Sequence, residues 1–350
     1  MKNSEVINLL QQLIAIPSFS KEEEGTANLI ETFIEDKGVD VNRHLNNVWA
    51  KNKFFDETKP TILFNSHHDT VKPNKGYTKD PFSPIIEDGK LYGLGSNDAG
   101  GALVSLLATF LFYYDKPIAY NLIFAATAEE EISGRNGIEA LLPVLGKIDF
   151  AIVGEPTQMQ LAIAEKGLMV LDCLIYGKSG HAAREEGVNA IYEAMSDIEW
   201  FRTYKFPKVS ALLGPVKMSV TVIHSGSQHN IVPDVCEFTV DVRVNECYTN
   251  DEVLGIISKS VKCKVNARST RLQPSFIVEE HPIVKAGKGL GLKVYGSPTL
   301  SDRALMPFSS LKAGPGDSAR SHIADEYIFV KEIEEGIELY INMLQKLLIV

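Results

Sequence analysis

Four apolar, strand-like runs in this chain each end in residues of a metal-binding type. Thr61-Ile62-Leu63-Phe64-Asn65-Ser66 leads into His67-His68-Asp69, and Leu91-Tyr92-Gly93-Leu94-Gly95 into Asn97-Asp98. Asn121 to Ala126 leads into Glu129-Glu130-Glu131, and Phe150-Ala151-Ile152-Val153 into Gly154-Glu155. In an open α/β sheet the carboxyl ends of the strands converge on one crevice, so groups far apart in sequence are predicted to meet there. A further histidine, His322 in Ser321-His322-Ile323-Ala324-Asp325-Glu326, completes the set. Two histidines with three carboxylates suit a pair of Zn²⁺ ions about 3.5–4 Å apart, an arrangement that activates water for hydrolysis.

Runs of this kind alternate with helical stretches. Apolar spacing predicts a helix over 4–15 that stops at Ile16-Pro17, and Ser20-Lys21-Glu22-Glu23 has capping-box spacing for a second helix reaching Lys37 before Gly38. Strands at 61–66, 91–95, 121–126 and 150–153 alternate with helices at 99–114 and 136–142, which predicts an α/β sheet flanked by helices. The pattern changes after Glu165-Lys166-Gly167. Strand 168–176, helix 188–204, strands 216–224 and 235–244, helix 250–260 and strand 261–269 follow the β-α-β-β-α-β order of a ferredoxin-like module. Because His322 must return to the crevice, the expected organisation is a catalytic domain of 1–166 and 276–350 with 167–275 inserted as a lid or dimerisation domain. A length of 350 residues is above the ~250–300 at which single cores stop growing, which fits two domains.

Charge and composition narrow the partners. A net charge of −10 disfavours long-range attraction to nucleic acid or an anionic membrane, leaving a small-molecule substrate as the expectation. The start of the chain is amphipathic and carries Glu5, unlike a secretion signal, and no run approaches the ~20 apolar residues that span a bilayer. A cytoplasmic location is expected. Cys173, Cys236, Cys247 and Cys263 form no Cys-x-x-Cys pair and read as reduced core thiols.

Other chemistries fail on specific residues. Gly93-x-Gly95 would need a third glycine where Asp98 stands, and a carboxylate there repels a pyrophosphate, whereas it can bridge two cations. Gly177-Lys178-Ser179 lacks the first P-loop glycine, its place being taken by Asp172. No Gly-x-Ser-x-Gly elbow is present, so water is the expected nucleophile. Of adjacent Glu130 and Glu131, one can bind metal while the other moves a proton from water to the leaving amine. His67 and Asp69 share a face of the strand end, which lets Asp69 orient the imidazole, while His68 faces the opposite way as a packed residue.

Taken together, these motifs resemble the di-zinc aminoacylase and carboxypeptidase type of metallohydrolase, the family that includes acetylornithine deacetylase and succinyl-diaminopimelate desuccinylase. The likeness runs from Leu13-Ile14-Ala15-Ile16-Pro17-Ser18 to Gly314-Pro315-Gly316 and the His322 segment. It implies hydrolysis of the Nα-acyl amide of a small amino acid, with N-acetyl-L-ornithine in arginine biosynthesis as the leading substrate. Its alternatives are N-succinyl-ornithine, acyl-citrulline, succinyl-diaminopimelate and di- or tripeptides, with a non-catalytic amino-acid or peptide binder more remote.

The resemblance also implies roles. His67 and Glu155 would hold one Zn²⁺, Glu131 and His322 the other, and Asp98 would bridge both, with Co²⁺ or Mn²⁺ as substitute ions. Glu130 would be the general base and Asp69 the partner behind the ligands. His181, in Ser179-Gly180-His181-Ala182, would stabilise the oxyanion in trans across a homodimer formed by the inserted domain, with Asn230 beside it. Arg243 would hold a substrate carboxylate, and Gly314 and Gly316 would shape a loop beside the substrate. A cis peptide is expected at Asp98–Ala99. Ser66 and Glu129 stand where such proteins often have Gly and Asp.

Overall fold

Strand Thr61–His67 is buried at every position, as a parallel strand covered on both faces must be. It pairs in parallel with Asn121–Thr127 on one side and with Phe150–Val153 on the other. Ser310–Lys312 extends the parallel set beyond Phe150–Val153, and Asn47–Lys51 and Val41–His44 close the other edge antiparallel. The structure, a computed structural model, describes residues 2–184 and 186–348. Positions 1, 349 and 350 of the expected catalytic domain lie outside the described residues.

Helix Gly101–Tyr113 is apolar on nearly every side because it packs on this sheet and is covered in turn by the C-terminal helix Val330–Leu348. On another side of the sheet Ile138, Leu141 and Leu145 of helix Ile138–Leu145 join Leu63, Ile123 and Ala151 in one core. The chain forms two compact units, Met1–Ile163 with Phe276–Tyr295 and Ser301–Val350, and Ala164–Ser275 with Gly296–Leu300. Among the described residues no helix is long and apolar enough to cross a membrane.

Two sequence expectations in the first unit change. The run 91–95 is not a strand of the central sheet: only Lys90–Tyr92 is extended, and it pairs with Ile85–Glu87 and Tyr327–Phe329 in a separate three-stranded sheet. Gly93 and Gly95, with φ of 147° and 74°, turn the chain out of that strand. The second helix starts at Glu24 with no side-chain cap, after a left-handed Lys21, and the Ser20 hydroxyl bonds Asp69 instead of capping it. Strands Val41–His44 and Asn47–Lys51 had no apolar signal to announce the first of them, since Asn42, Arg43 and His44 dominate it.

The second unit carries an antiparallel sheet in the order Lys217–Ser225, Val235–Val244, Gly167–Tyr176, Lys264–Ala267. Helices Ala190–Thr203 and Asn250–Ser260 supply Ala194, Phe201, Val253 and Ile257 to a core with alternate residues of the central strands, Met169, Leu171, Val240 and Val242 among them. Thr249 and Glu252 form a reciprocal cap at the start of the second helix. Cys173, Cys236 and Cys263 are buried in this core, and all four cysteines are free thiols.

Candidate metal centre

Parallel pairing delivers the first cluster. His67 lies opposite Thr127, and Asn65 opposite Val153, so the segments after three neighbouring strands carry His67, Glu130-Glu131 and Glu155 to one end of the sheet. Close packing holds the third of these. The Gly154 N–H donates to the Asn65 carbonyl at 2.7 Å, and the Ser66 hydroxyl donates to the Gly154 carbonyl at 2.8 Å. Ser66 thus has a use that a glycine there could not supply.

Around His67 Nε2 stand three carboxylates: Asp98 Oδ1 at 3.4 Å, Glu155 Oε1 at 3.8 Å and Glu130 Oε2 at 4.0 Å. The imidazole is 1% exposed, and this nitrogen makes no hydrogen bond. Opposite, His322 Nε2 lies 3.0 and 3.1 Å from the two Glu131 oxygens and 3.6 Å from Asp98 Oδ2. Asp98 therefore turns one oxygen toward each histidine. Two groups bound to one tetrahedral Zn²⁺ at about 2.0–2.2 Å sit roughly 3.3–3.5 Å apart, so the gaps from Asp98 to the two histidines fit donors that share cations, while His322 and Glu131 stand within hydrogen-bond distance.

The electrostatics agree with that reading. Burial alone would push His67 down, but the carboxylates of Asp69, Asp98, Glu130 and Glu155 hold it well above the usual imidazole range. Hydrogen bonding to Glu131 raises His322 to about 9, with Asp98 and Glu326 adding to it. Burial, and then the neighbouring charges of Glu155, Asp302 and Glu131, push Glu130 well above the ordinary carboxylate range against the pull of His67. A cluster that gathers protons to offset its own charge is one in which cations would displace them.

Asp69 does more than orient a ring. His67 Nδ1 is 3.0 Å from the Asp69 backbone carbonyl and 3.4 Å from its Oδ1. The carboxylate accepts the N–H groups of Glu130 at 3.0 Å and Glu131 at 3.1 Å, and the Ser20 hydroxyl at 2.7 Å. It therefore fixes the backbone from which both glutamates project. Glu129 points away: in a left-handed conformation it binds the N–H and side-chain amide of Asn136. His68 is a packed residue, held by Thr26 at 2.8 Å and the Asn46 carbonyl at 2.9 Å, and burial lowers it to about 4.

Asp98 sits in the tight segment Ser96–Gly100 with a non-helical backbone, φ −117° and ψ 96°, and the Asp98–Ala99 peptide is cis. Gly314 and Gly316 press on its neighbours. A Cβ on Gly314 would come within 2.5 Å of the Glu155 carbonyl, and one on Gly316 within 2.6 Å of Asn97 Oδ1.

In the second unit, His181 pairs with Ile231 and the Ala182 N–H donates to the Asn230 carbonyl at 3.1 Å, so His181 and Asn230 lie on adjoining exposed segments. Arg243 directs its fork at Asp241, at 2.9 and 3.1 Å.

Comparison with known proteins decides the family. The chain matches the peptidase family M20/M25/M40 over residues 63–346. It belongs to that family. Succinyl-diaminopimelate desuccinylase of Orientia tsutsugamushi (strain Boryong) is 24% identical over 97% of this chain and 95% of its own length. Acetylornithine deacetylase of Proteus mirabilis is 28% identical over 95% and 94%. In fold, the chain is similar to the dinuclear metal binding M20 peptidase YXEP of Bacillus subtilis, with a TM-score of 0.74 at 16% identity over 97% of both chains. The mixed α/β architecture, with a central sheet flanked by helices, is that of M20 peptidases, and the chain is a hydrolase of this metal-dependent family.

Two residues outside the sequence-based candidates also build the centre. Glu326 is 1% exposed, and burial together with the Asp98 charge raises it to about 8 against the pull of three backbone N–H groups. Asp302, buried below the strand ends, accepts from Asn65 at 3.0 Å and Thr127 at 2.7 Å. Neither residue sits in an apolar periodicity that would mark it. The one sequence sign of Glu326 is its place four residues after His322.

Proposed function

We propose that this M20 hydrolase cleaves the Nα-acyl amide of a small amino acid, with N-acetyl-L-ornithine, giving L-ornithine and acetate, as its leading substrate. The observation that carries the reaction class is the orphaned, buried His67 Nε2 facing Asp98, Glu155 and Glu130, with Asp98 turned toward both histidines. His67 and Glu155 would hold one Zn²⁺, Glu131 and His322 the other, and Asp98 would bridge them. When bound, the ions would supply Lewis acidity to the scissile carbonyl and to water.

The chain's own residues do the rest. Glu130 accepts a proton from the attacking water and delivers it to the leaving amine, a task suited to a mostly buried carboxyl whose proton affinity is raised. Asp69 keeps Glu130 and Glu131 in place through their N–H groups. His181 acts in trans on the developing oxyanion with Asn230 beside it, and Arg243 holds the substrate carboxylate as a planar bidentate donor. In the free protein that fork is occupied by Asp241.

This reading includes a homodimer built through the second unit as a ferredoxin-like lid and dimerisation domain, comprising 167–275 with 1–166 and 276–350 as the catalytic domain. Two features support it: strand Lys217–Ser225 is a sheet edge, and Val222, Ile223, Ile191, Tyr192 and Met195 expose apolar side chains on it and on helix Ala190–Thr203. The proposed location is cytoplasmic and the proposed pathway arginine biosynthesis. The relative from Proteus mirabilis supports the acetyl substrate.

The test is amine release from a panel of acetyl, succinyl and peptide derivatives, with N-acetyl-L-ornithine expected to give the highest kcat/KM. Preference for a succinyl amino acid keeps the reaction and replaces the substrate; turnover confined to unacylated peptides refutes the deacylase assignment.

A further inference from the structure

The small three-stranded sheet joins the two loops that carry Asp98 and His322. Tyr327 lies opposite Tyr92, Ile328 opposite Leu91 and Phe329 opposite Lys90. The chain therefore leaves this sheet toward Asp98 along one strand and enters it from His322 along the other. At the point where the two diverge stands Glu326, whose backbone carbonyl accepts the Gly93 N–H at 3.0 Å.

Its buried side chain reaches into the Asp98 loop. Glu326 Oε2 accepts the Gly95 N–H at 3.1 Å, and Oε1 accepts the N–H groups of both Asn97 and Asp98 at 2.9 Å. These three donors have no strand ladder to satisfy them, because positive φ at Gly93 and Gly95 has taken the chain out of the sheet. An anion cradled by successive N–H groups is a familiar way to hold a loop rigid. Here the acceptor is a carboxyl group of the chain itself. Asn97 completes the grip, donating to the Asp317 carbonyl and accepting the Asp317 N–H, each at 3.0 Å.

We infer that Glu326 is a positioning residue that locks the Asp98 backbone to the His322 segment and thereby sets the spacing of the cation shared by Asp98 and His322. The inference rests on the two-metal reading above. Asp98 must aim one oxygen at each histidine, so a small rotation of its backbone spoils both directions at once. His322, by contrast, sits on an irregular segment with φ of 61°. Its own carbonyl accepts the Asn74 side-chain amide at 3.2 Å. Glu326 bonds through three backbone N–H groups to the loop of one ligand while standing on the segment of the other, a stronger hold than the single Asn97–Ser321 contact at 3.4 Å beside it. Groups behind metal ligands commonly govern affinity by about 10–100-fold.

The experiment loads metal-stripped full-length protein with Co²⁺, reading bound equivalents by elemental analysis, site geometry by the visible spectrum of the ion, and thermal unfolding of each metal-free variant. Wild type is expected to bind two equivalents. Glu326→Ala and Glu326→Asp, the latter keeping the charge but withdrawing it by one methylene, are expected to bind the second equivalent at least about tenfold more weakly, with an altered spectrum. Glu326→Gln, which keeps an oxygen for Asn97 and Asp98, is expected to stay within a few-fold of wild type. Asp325→Ala removes the bonds to Thr78 and Lys79 from the adjacent residue, and is expected to loosen the same segment without changing either affinity.

Two-equivalent binding with wild-type affinity and spectrum in Glu326→Ala overturns the inference. So does equal weakening in Asp325→Ala, which would make general loosening the cause. Should Glu326→Ala fail to fold, the order of the other two decides: Gln above Asp supports a positioning role, and Asp above Gln overturns it in favour of charge alone. Fewer than two equivalents in wild type would instead remove the two-metal reading, and this inference with it.

Discussion

The two histidines of the centre are positioned in opposite ways. His67 ends a strand flanked by parallel neighbours, is 1% exposed, and has its second nitrogen fixed against Asp69. His322 lies in a left-handed turn between the short helix Ser318–Arg320 and strand Tyr327–Phe329, with 54% of its side chain exposed. One candidate ligand is delivered by the sheet, and the other by a set of polar clasps on irregular chain. Hydrophobic burial makes the first inseparable from folding, whereas the second can be perturbed with little effect on the core.

Removing the chemistry while sparing both halves should give the largest effect. Glu130→Gln is expected to lower kcat by about 10²–10⁴-fold with metal content unchanged, because the amide fills the same space but cannot carry the proton. Retention of most turnover would refute Glu130 as the base. The contrast between the halves is sharpened by His67→Ala and His322→Ala, both of which should lose bound metal. In denaturant unfolding of the metal-free proteins, only His67→Ala should be destabilised, by about 1–3 kcal/mol, while exposed His322→Ala stays within about 0.5 kcal/mol. Equal shifts would erase the distinction. Ser20→Ala, which removes the hydroxyl 2.7 Å from Asp69, should weaken metal binding or turnover by up to about tenfold, less than loss of Asp69 itself. An unchanged enzyme would leave Asp69 needing no help from the loop before the second helix.

The same contrast explains what the sequence made legible. His67, Glu130, Glu131 and Glu155 were readable because apolar runs 61–66, 121–126 and 150–153 are buried parallel strands, and their periodicity announces where each one stops. The β-α-β-β-α-β order of the second unit was readable for a related reason, its strands alternating buried and half-buried residues. Asp98 is expected from the sequence to follow a sheet strand at 91–95, which the Gly93 and Gly95 conformations prevent. His322 entered as a histidine near the end of the chain, with its role given by resemblance. Asp302 left no mark and Glu326 only its place four residues after His322, since a carboxyl group that binds backbone N–H groups or a distant hydroxyl obeys no local spacing. Ser20 had the spacing of a helix cap and is instead bonded to Asp69.

The most direct test of a two-metal hydrolytic centre is a zinc titration of the metal-stripped protein that follows bound ion and amine release from N-acetyl-L-ornithine in the same samples. The account predicts negligible turnover without metal, binding that saturates at two ions per chain, and activity that reaches its maximum only as the second ion binds. Turnover untouched by chelation, or no zinc bound at this cluster, would contradict it.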